Sequence, residues 1–258
     1  MSYIVRENSS EKSTSLDVEA VSFKNLTKIY KNGRGIKNVS FSLNEGEVFG
    51  FLGPNGAGKT TAMKILTGLA KPDSGNAYIY GKSSVDDYEA AMSVGVGAII
   101  ESVGLLGHLT ACEHLEMQSR FYPEVDSSRI DEALELTGLL KFKNERVKKF
   151  SLGMKQRMGI AMAILPNPRV LILDEPYNGL DVEGMVSMRE MFMKLAVDEK
   201  TTILISSHLI HDVERSCNRV GILYNGAVLG IGSTKEILRE YQTMEDYYLE
   251  AVRSSGKK

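Results

Sequence analysis

Gly53-Pro54-Asn55-Gly56-Ala57-Gly58-Lys59-Thr60 carries the spacing G-x-x-x-x-G-K-T. Glycines at those intervals let backbone N–H groups converge on phosphate oxygens at a helix N-terminus, and the lysine brings a point charge to the β- and γ-phosphates. The Thr60 hydroxyl is then in reach of Mg²⁺. Two carboxylates close the apolar run Val170-Leu171-Ile172-Leu173-Asp174-Glu175. At a strand tip beside a phosphate loop, Asp174 can hold the Mg²⁺ shell directly or through water, while Glu175 orients or deprotonates an attacking water. A second apolar run, Ile203-Leu204-Ile205-Ser206-Ser207-His208, ends in a histidine suited to contact a γ-phosphate. The chemistry these residues predict is hydrolysis of a nucleoside triphosphate.

Such side chains need a sheet and helices to hold them. Residues 48–52 read as a buried strand, and 59–67 as a helix closed by Gly68. Apolar alternation over 21–26 and 39–43 predicts an antiparallel β layer, with a further strand at 76–80. Strands at 170–173, 202–205 and 220–223 alternate with helical patterns, as a parallel α/β sheet requires. Asn225-Gly226 marks a hairpin turn. Between the two halves, residues of about 87–165 read as a helical subdomain, with a capping box at Thr110 and Glu113. Met154, Met158 and Met162 fall on one helix face and are expected in the core. Short helices are predicted over about 234–252. Residues 1–17 are polar and Ser-rich and predict a mobile tail, leaving 18–258 as a single domain. No internal repeat is visible, so one nucleotide site is expected per chain.

Charge narrows the partners. The chain has 258 residues, 31 of them basic and 33 acidic, so nothing global suggests a polycation for nucleic acid, and no nucleic-acid partner is expected. Cys112 and Cys217 show neither metal-site spacing nor a disulfide framework, as in a reducing cytoplasm. No apolar run approaches the roughly 18 residues of a membrane span, and no signal-peptide pattern opens the chain. A cytoplasmic protein is expected, whose membrane work involves another chain.

In order and spacing, these motifs resemble those of the ATP-binding subunits of ABC transporters, over about residues 21–233. Residues 53–60 resemble the Walker A loop, extended by Thr61, and 170–175 the Walker B strand with its catalytic glutamate. Asn178-Gly179-Leu180-Asp181 is similar to the D-loop, and His208 to the switch histidine. Tyr30 matches the aromatic that stacks on adenine. Ser151-Leu152-Gly153-Met154-Lys155-Gln156 sits where the family carries its LSGGQ signature, keeping Ser151 and Gly153 but departing at Leu152 and Met154. Where most relatives place a Gln that ligates Mg²⁺, this chain has Glu101.

The resemblance implies an α/β P-loop NTPase core with a parallel sheet, an N-terminal antiparallel β layer and an α-helical subdomain. It implies ATP and Mg²⁺ as ligands, with Thr60, Asp174 and Glu101 on the metal. Tyr30, Gly53, Pro54, Asn55, Gly56, Ala57, Gly58, Lys59, Thr60 and Thr61 would touch the nucleotide in cis. Ser151, Gly153 and Asp181 would serve a site shared with a second subunit. It further implies an ATP-dependent homodimer or heterodimer and a separate integral-membrane permease that holds the pair at the inner face of the membrane. Glu101 together with this signature is similar to exporters of the bacitracin and lantibiotic immunity type. A soluble ABC-type ATPase in an assembly or repair process stays open as the alternative.

Overall fold

A computed structural model describes residues 18–256, so the tail expected over residues 1–17 lies outside the described residues. In chain order the strands are β1 (Glu19–Ile29), β2 (Gly35–Asn44), β3 (Val48–Leu52), β4 (Ser74–Ile79), β5 (Lys82–Ser83), β6 (Val96–Ile99), β7 (Val170–Asp174), β8 (Thr202–Ser207), β9 (Arg219–Tyr224) and β10 (Ala227–Ser233). The helices are α1 (Lys59–Leu66), α2 (Tyr88–Met92), α3 (Ala111–Ser119), α4 (Ser127–Leu136), α5 (Leu152–Ile164), α6 (Val182–Asp198), α7 (Ile210–Ser216), α8 (Thr234–Glu240) and α9 (Met244–Ser255). The last two realise the short C-terminal helices expected from the sequence.

Strands β1, β2, β4 and β5 form an antiparallel sheet in the order β2-β1-β4-β5. The second sheet runs β10-β9-β3-β8-β7-β6, parallel throughout except for the β9–β10 hairpin. Every residue of β3 and β7 is buried, which explains why both read as continuous apolar runs rather than alternating ones. Alternation in β1 and β2 instead turns Phe23 and Phe41 onto Phe49 of β3, with the Phe41 ring 4.6 Å from Phe23 and 5.1 Å from Phe49. That aromatic stack joins the two sheets, and α1 packs into the same core through Met63, Ile65 and Leu66. On the opposite face α5 and α6 supply Met158, Ile160, Phe192 and Leu195 to a second core. Met154 and Met162 pack against it as expected.

One boundary needs correcting. Residues 96–99, inside the stretch expected to be helical, form β6 and pair in parallel with β7 at the sheet edge. A four-residue strand containing glycine carries little periodicity, and the glycine is there for packing: a Cβ on Gly97 would stand 2.1 Å from the Ala163 carbonyl oxygen of α5. The helical portion proper comprises α3, α4 and α5. Its first helix opens on the predicted capping box, Thr110 accepting from the Glu113 N–H while Glu113 accepts from the Thr110 N–H.

Candidate nucleotide site

The phosphate loop leaves β3 at Leu52 and enters α1 at Lys59. Gly58 caps this helix in a left-handed conformation, φ 112°, and no side chain caps its first N–H groups. A Cβ at Gly58 would meet the Gly35 carbonyl at 2.8 Å and the Ile36 side chain closer still, so glycine is required by both backbone angle and space. An uncapped helix start with no acidic residue in its first turn offers its donors to an anion. Lys59, 6% exposed, folds back over the loop and donates to the Gly53 carbonyl at 2.6 Å. Its ammonium lies 3.5 Å from Glu175. Burial pushes the Lys59 pKa below its usual value, against the opposing pull of Glu175 and Asp174.

The tips of β7 and β8 complete the site. Thr60 Oγ1 donates to Asp174 Oδ2 at 2.8 Å, while Ser206 at the end of β8 donates to the other carboxylate oxygen. Asp174 is therefore held from two sides. Glu175 sits one residue beyond β7 in the left-handed region, φ 51°, with its N–H bound to Ser206 Oγ at 3.0 Å. A non-glycine residue in that region is strained, and here the strain turns the carboxylate toward Lys59 and His208. His208 Nδ1 lies 2.8 Å from Glu175 Oε2. An ionised carboxylate can only accept, so Nδ1 carries the proton of this bond.

A cavity of about 280 Å³ opens in front of this cluster, lined by Tyr30, Asn32, Arg34, Gly35, residues 55–61, Asp174 and Glu175. Tyr30 is 39% exposed at its rim. The structure thus gathers Tyr30, Asn55, Gly56, Ala57, Gly58, Lys59, Thr60, Thr61, Asp174 and Glu175 at one cavity, with Gly53 and Pro54 beneath Lys59 through their carbonyls. The donor set fits Mg²⁺: Thr60 and Asp174 supply two hard oxygens in direct contact, and Mg²⁺ characteristically takes one or two protein ligands beside phosphate and water. No group of three or more His, Cys, Asp or Glu that could form a self-sufficient metal cage occurs among the described residues.

Glu101 does not join that set. It lies past the end of β6 with φ 65°, and this turn brings its backbone N–H 3.4 Å from Asp174 Oδ2 but sends its carboxylate outward. The side chain is 62% exposed and pairs with Lys64 of α1 at 2.5 Å. In this structure the carboxylate expected as a third metal ligand is instead engaged by Lys64.

Ser151, Gly153 and Asp181 also lie outside the cavity, in a second cluster. Ser151 caps α5, accepting from the Met154 N–H at 3.2 Å, and Asp181 caps α6, accepting from the Gly184 N–H at 2.8 Å. The two helix starts abut, since a Cβ on Gly153 would stand 2.8 Å from the Gly179 carbonyl and one on Gly179 would strike Leu152. Arg157 approaches Asp181 at 3.9 Å. Leu152 and Val182 are 69% and 72% exposed on this surface.

Several functional or positioning residues escape a reading of the sequence. Ser206 is one, although a hydroxyl at the strand tip before His208 is a usable signal. His114, given no role from sequence, is buried and ties the loop after Glu101 to α3: the Leu106 N–H donates to its Nε2 at 2.8 Å and its Nδ1 faces the Thr110 carbonyl at 3.1 Å. Tyr177 is buried behind the D-loop, with its hydroxyl 2.8 Å from Ser216 of α7.

Comparison with known proteins agrees with this geometry. Residues 36–178 match the ABC transporter family. The bacitracin transport ATP-binding protein BcrA of Bacillus licheniformis is 41% identical over 204 residues, covering 79% of this chain and 66% of that protein. The lantibiotic transport ATP-binding protein SrtF of Streptococcus pyogenes is 38% identical over 205 residues, covering 80% of this chain and 87% of that one. Against BcrA the matched segment thus spans about two thirds of the relative's length. Among solved structures, an ATP-binding subunit of an ABC transporter superposes with a TM-score of 0.79 at 29% identity, covering 90% of this chain and 99% of that one. An ATP-binding cassette in a dimeric, post-hydrolysis state bound to ADP and Pi superposes with a TM-score of 0.75 at 28% identity, covering 83% and 98%. No helix among the described residues is long and apolar enough to cross a membrane. With its phosphate loop, strand-tip carboxylates and signature segment in these positions, the chain belongs to the ABC transporter family as an ATP-binding, ATP-hydrolysing subunit.

Proposed function

We propose that this subunit powers a separate integral-membrane exporter, with antimicrobial peptides or drugs as the cargo class, and that it works from the inner face of the membrane as one of a pair. The observation that carries the paired mechanism is the split of the site residues into two clusters, one lining the cavity and one exposed around Ser151 and Asp181. In a pair, the second cluster of one subunit faces the nucleotide held in the first cluster of the other. Tyr30 stacks on adenine, Lys59 and the loop N–H groups hold the β- and γ-phosphates, and His208 contacts the γ-phosphate. Glu175 releases His208 and Lys59 when nucleotide enters and takes a proton from the attacking water. Thr60 and Asp174 would hold Mg²⁺, which when bound would supply charge neutralisation for the phosphates. Closure on ATP and release after hydrolysis is a population switch driven by differential nucleotide binding.

The names of the bacitracin and lantibiotic relatives favour export over soluble assembly or repair. A groove of about 350 Å³ lies beside β6, lined in part by Leu69, Ile100, Val103, Tyr122 and Met162. Its place next to Glu101 makes it the surface on which a short permease helix would report to the site. The test is reconstitution with a candidate multi-span permease that co-purifies with the chain: ATP hydrolysis coupled to peptide export in vesicles is expected, and hydrolysis with full activity but no association with any such partner would reject the exporter reading.

A further inference from the structure

Arg34 occupies the turn between β1 and β2 and lines the same cavity as Tyr30, Lys59 and Glu175. Its Nη1 stands 3.9 Å from the point where a Gly56 Cβ would be, with nothing closer, so the guanidinium reaches over the outer part of the phosphate loop. The side chain makes no hydrogen bond or ion pair among the described residues; only its main chain is engaged. That main chain is firmly held. The Tyr30 N–H donates to the Arg34 carbonyl at 2.8 Å, the Gly33 N–H to the Tyr30 carbonyl at 2.8 Å, and the Arg34 N–H to Asn32 Oδ1 at 3.1 Å.

The turn is also fixed to the phosphate loop by a third segment. Gly226, in the β9–β10 hairpin, donates its N–H to the Ala57 carbonyl at 3.1 Å and accepts from the Lys37 N–H at 2.7 Å. An unpaired cation is thus presented at a set distance from a loop built for phosphate. On surfaces generally, an unpaired arginine signifies little; here it is the placement that argues.

On this basis we infer that Arg34 is a nucleotide-binding residue whose guanidinium takes the α-phosphate, an assignment resting on the nucleotide-site reading above. With Tyr30 read as the base end of the cavity and Lys59 as the β,γ end, the α-phosphate is the charged group left for a guanidinium that lines the same cavity over Gly56. A guanidinium only donates, in a planar fork that matches phosphate oxygens, whereas a ribose hydroxyl offers neither charge nor that geometry. The phosphate is the partner its chemistry selects.

Calorimetric titration of Mg-ADP and of the Mg complex of the imido analogue of ATP tests this on the unmodified chain, Arg34→Ala and Arg34→Lys. Because the α-phosphate is common to both nucleotides, Arg34→Ala should weaken both by the same factor, about tenfold. Arg34→Lys keeps the charge but loses the fork, and should fall between. The thermal midpoint of each variant without nucleotide should be unchanged, as the side chain holds no partner. Unaltered affinities in Arg34→Ala would overturn the inference, and a loss confined to the ATP analogue would overturn the α-phosphate assignment. An unmodified chain that binds neither nucleotide would instead overturn the site reading itself.

Discussion

Two helices of this protein begin at functional loops, and their first turns are built in opposite ways. Helix α1 starts on Gly58 with no side-chain cap, inside a cavity whose other walls, Asp174 and Lys59, are already buried and bonded to one another's neighbours. Helix α5 starts on Ser151, whose hydroxyl satisfies its own Met154 N–H, on a surface where Leu152 and Val182 stand exposed. The first leaves backbone donors free for a ligand, while Lys59, Thr60 and Asp174 are bonded internally. The second satisfies its Met154 N–H through the Ser151 hydroxyl and leaves Leu152 and Val182 exposed. On the paired reading proposed above, a single chain binds nucleotide, while the signature surface serves the other subunit.

If that contrast is right, the largest effect belongs to Glu175→Gln: hydrolysis should slow by about 10²–10⁴-fold with nucleotide affinity retained, since the amide fills the space but cannot take a proton. Single-turnover hydrolysis against equilibrium binding separates the two, and a loss of binding instead would mean that Glu175 holds the cavity together. Lys59→Ala comes next, weakening nucleotide binding by about 100-fold while leaving the secondary structure intact, because the ammonium bonds only loop carbonyls and Glu175. Titration with a fluorescent ATP analogue reads this; equal affinity would remove Lys59 from the phosphate site.

Ser151→Arg probes the other region. Affinity of the isolated chain for ATP should stay within about twofold, but an ATP-dependent dimer of the Glu175→Gln chain should no longer form once the added bulk and charge occupy the signature surface. Light scattering with and without ATP decides, and a persistent dimer in the double variant would show that Ser151 does not face the partner. A smaller effect is expected from Tyr177→Phe. It removes the hydroxyl that anchors the D-loop to Ser216 and should cost about 1 kcal/mol, lowering the thermal midpoint by about 2–4 °C. Unchanged melting would mean that the bond contributes nothing net.

Glu101→Gln should do least. Its exposed pair with Lys64 is worth at most about 1 kcal/mol, and with the carboxylate turned away from Thr60 and Asp174 the Mg²⁺ midpoint for ATPase activity should move less than about twofold. A large shift in Mg²⁺ dependence would restore Glu101 to the metal.

What the sequence reveals divides along a physical line. The phosphate loop, the strand tips at Asp174 and His208, the Thr110–Glu113 box and the Asn225-Gly226 hairpin are all local patterns, in which a few neighbouring residues determine backbone shape. They are legible because the constraint is local. Strand β6 is not, since four residues with a central glycine show no period and the strand exists only by pairing with β7. The direction of the Glu101 side chain depends on Lys64 in another element, and the placement of Arg34 over Gly56 depends on a hairpin near the other end of the chain. Residue types announce the chemistry, whereas the aim of each side chain is decided by contacts distant in sequence.

Strand β3, which launches the phosphate loop, is bordered on one side by β8 and on the other by β9. Both neighbours come from the last third of the chain, as does Gly226, the residue that fastens Ala57 to Lys37. During synthesis the loop emerges early, but neither strand that flanks β3 is available until the ribosome has delivered β8 and then β9. Nucleotide capture is thereby deferred to a late moment in the life of the nascent chain, and such long-range pairing is slow to form. A ribosome-bound chain stalled before Arg219 should fail to bind ATP, and one released past Ser233 should succeed.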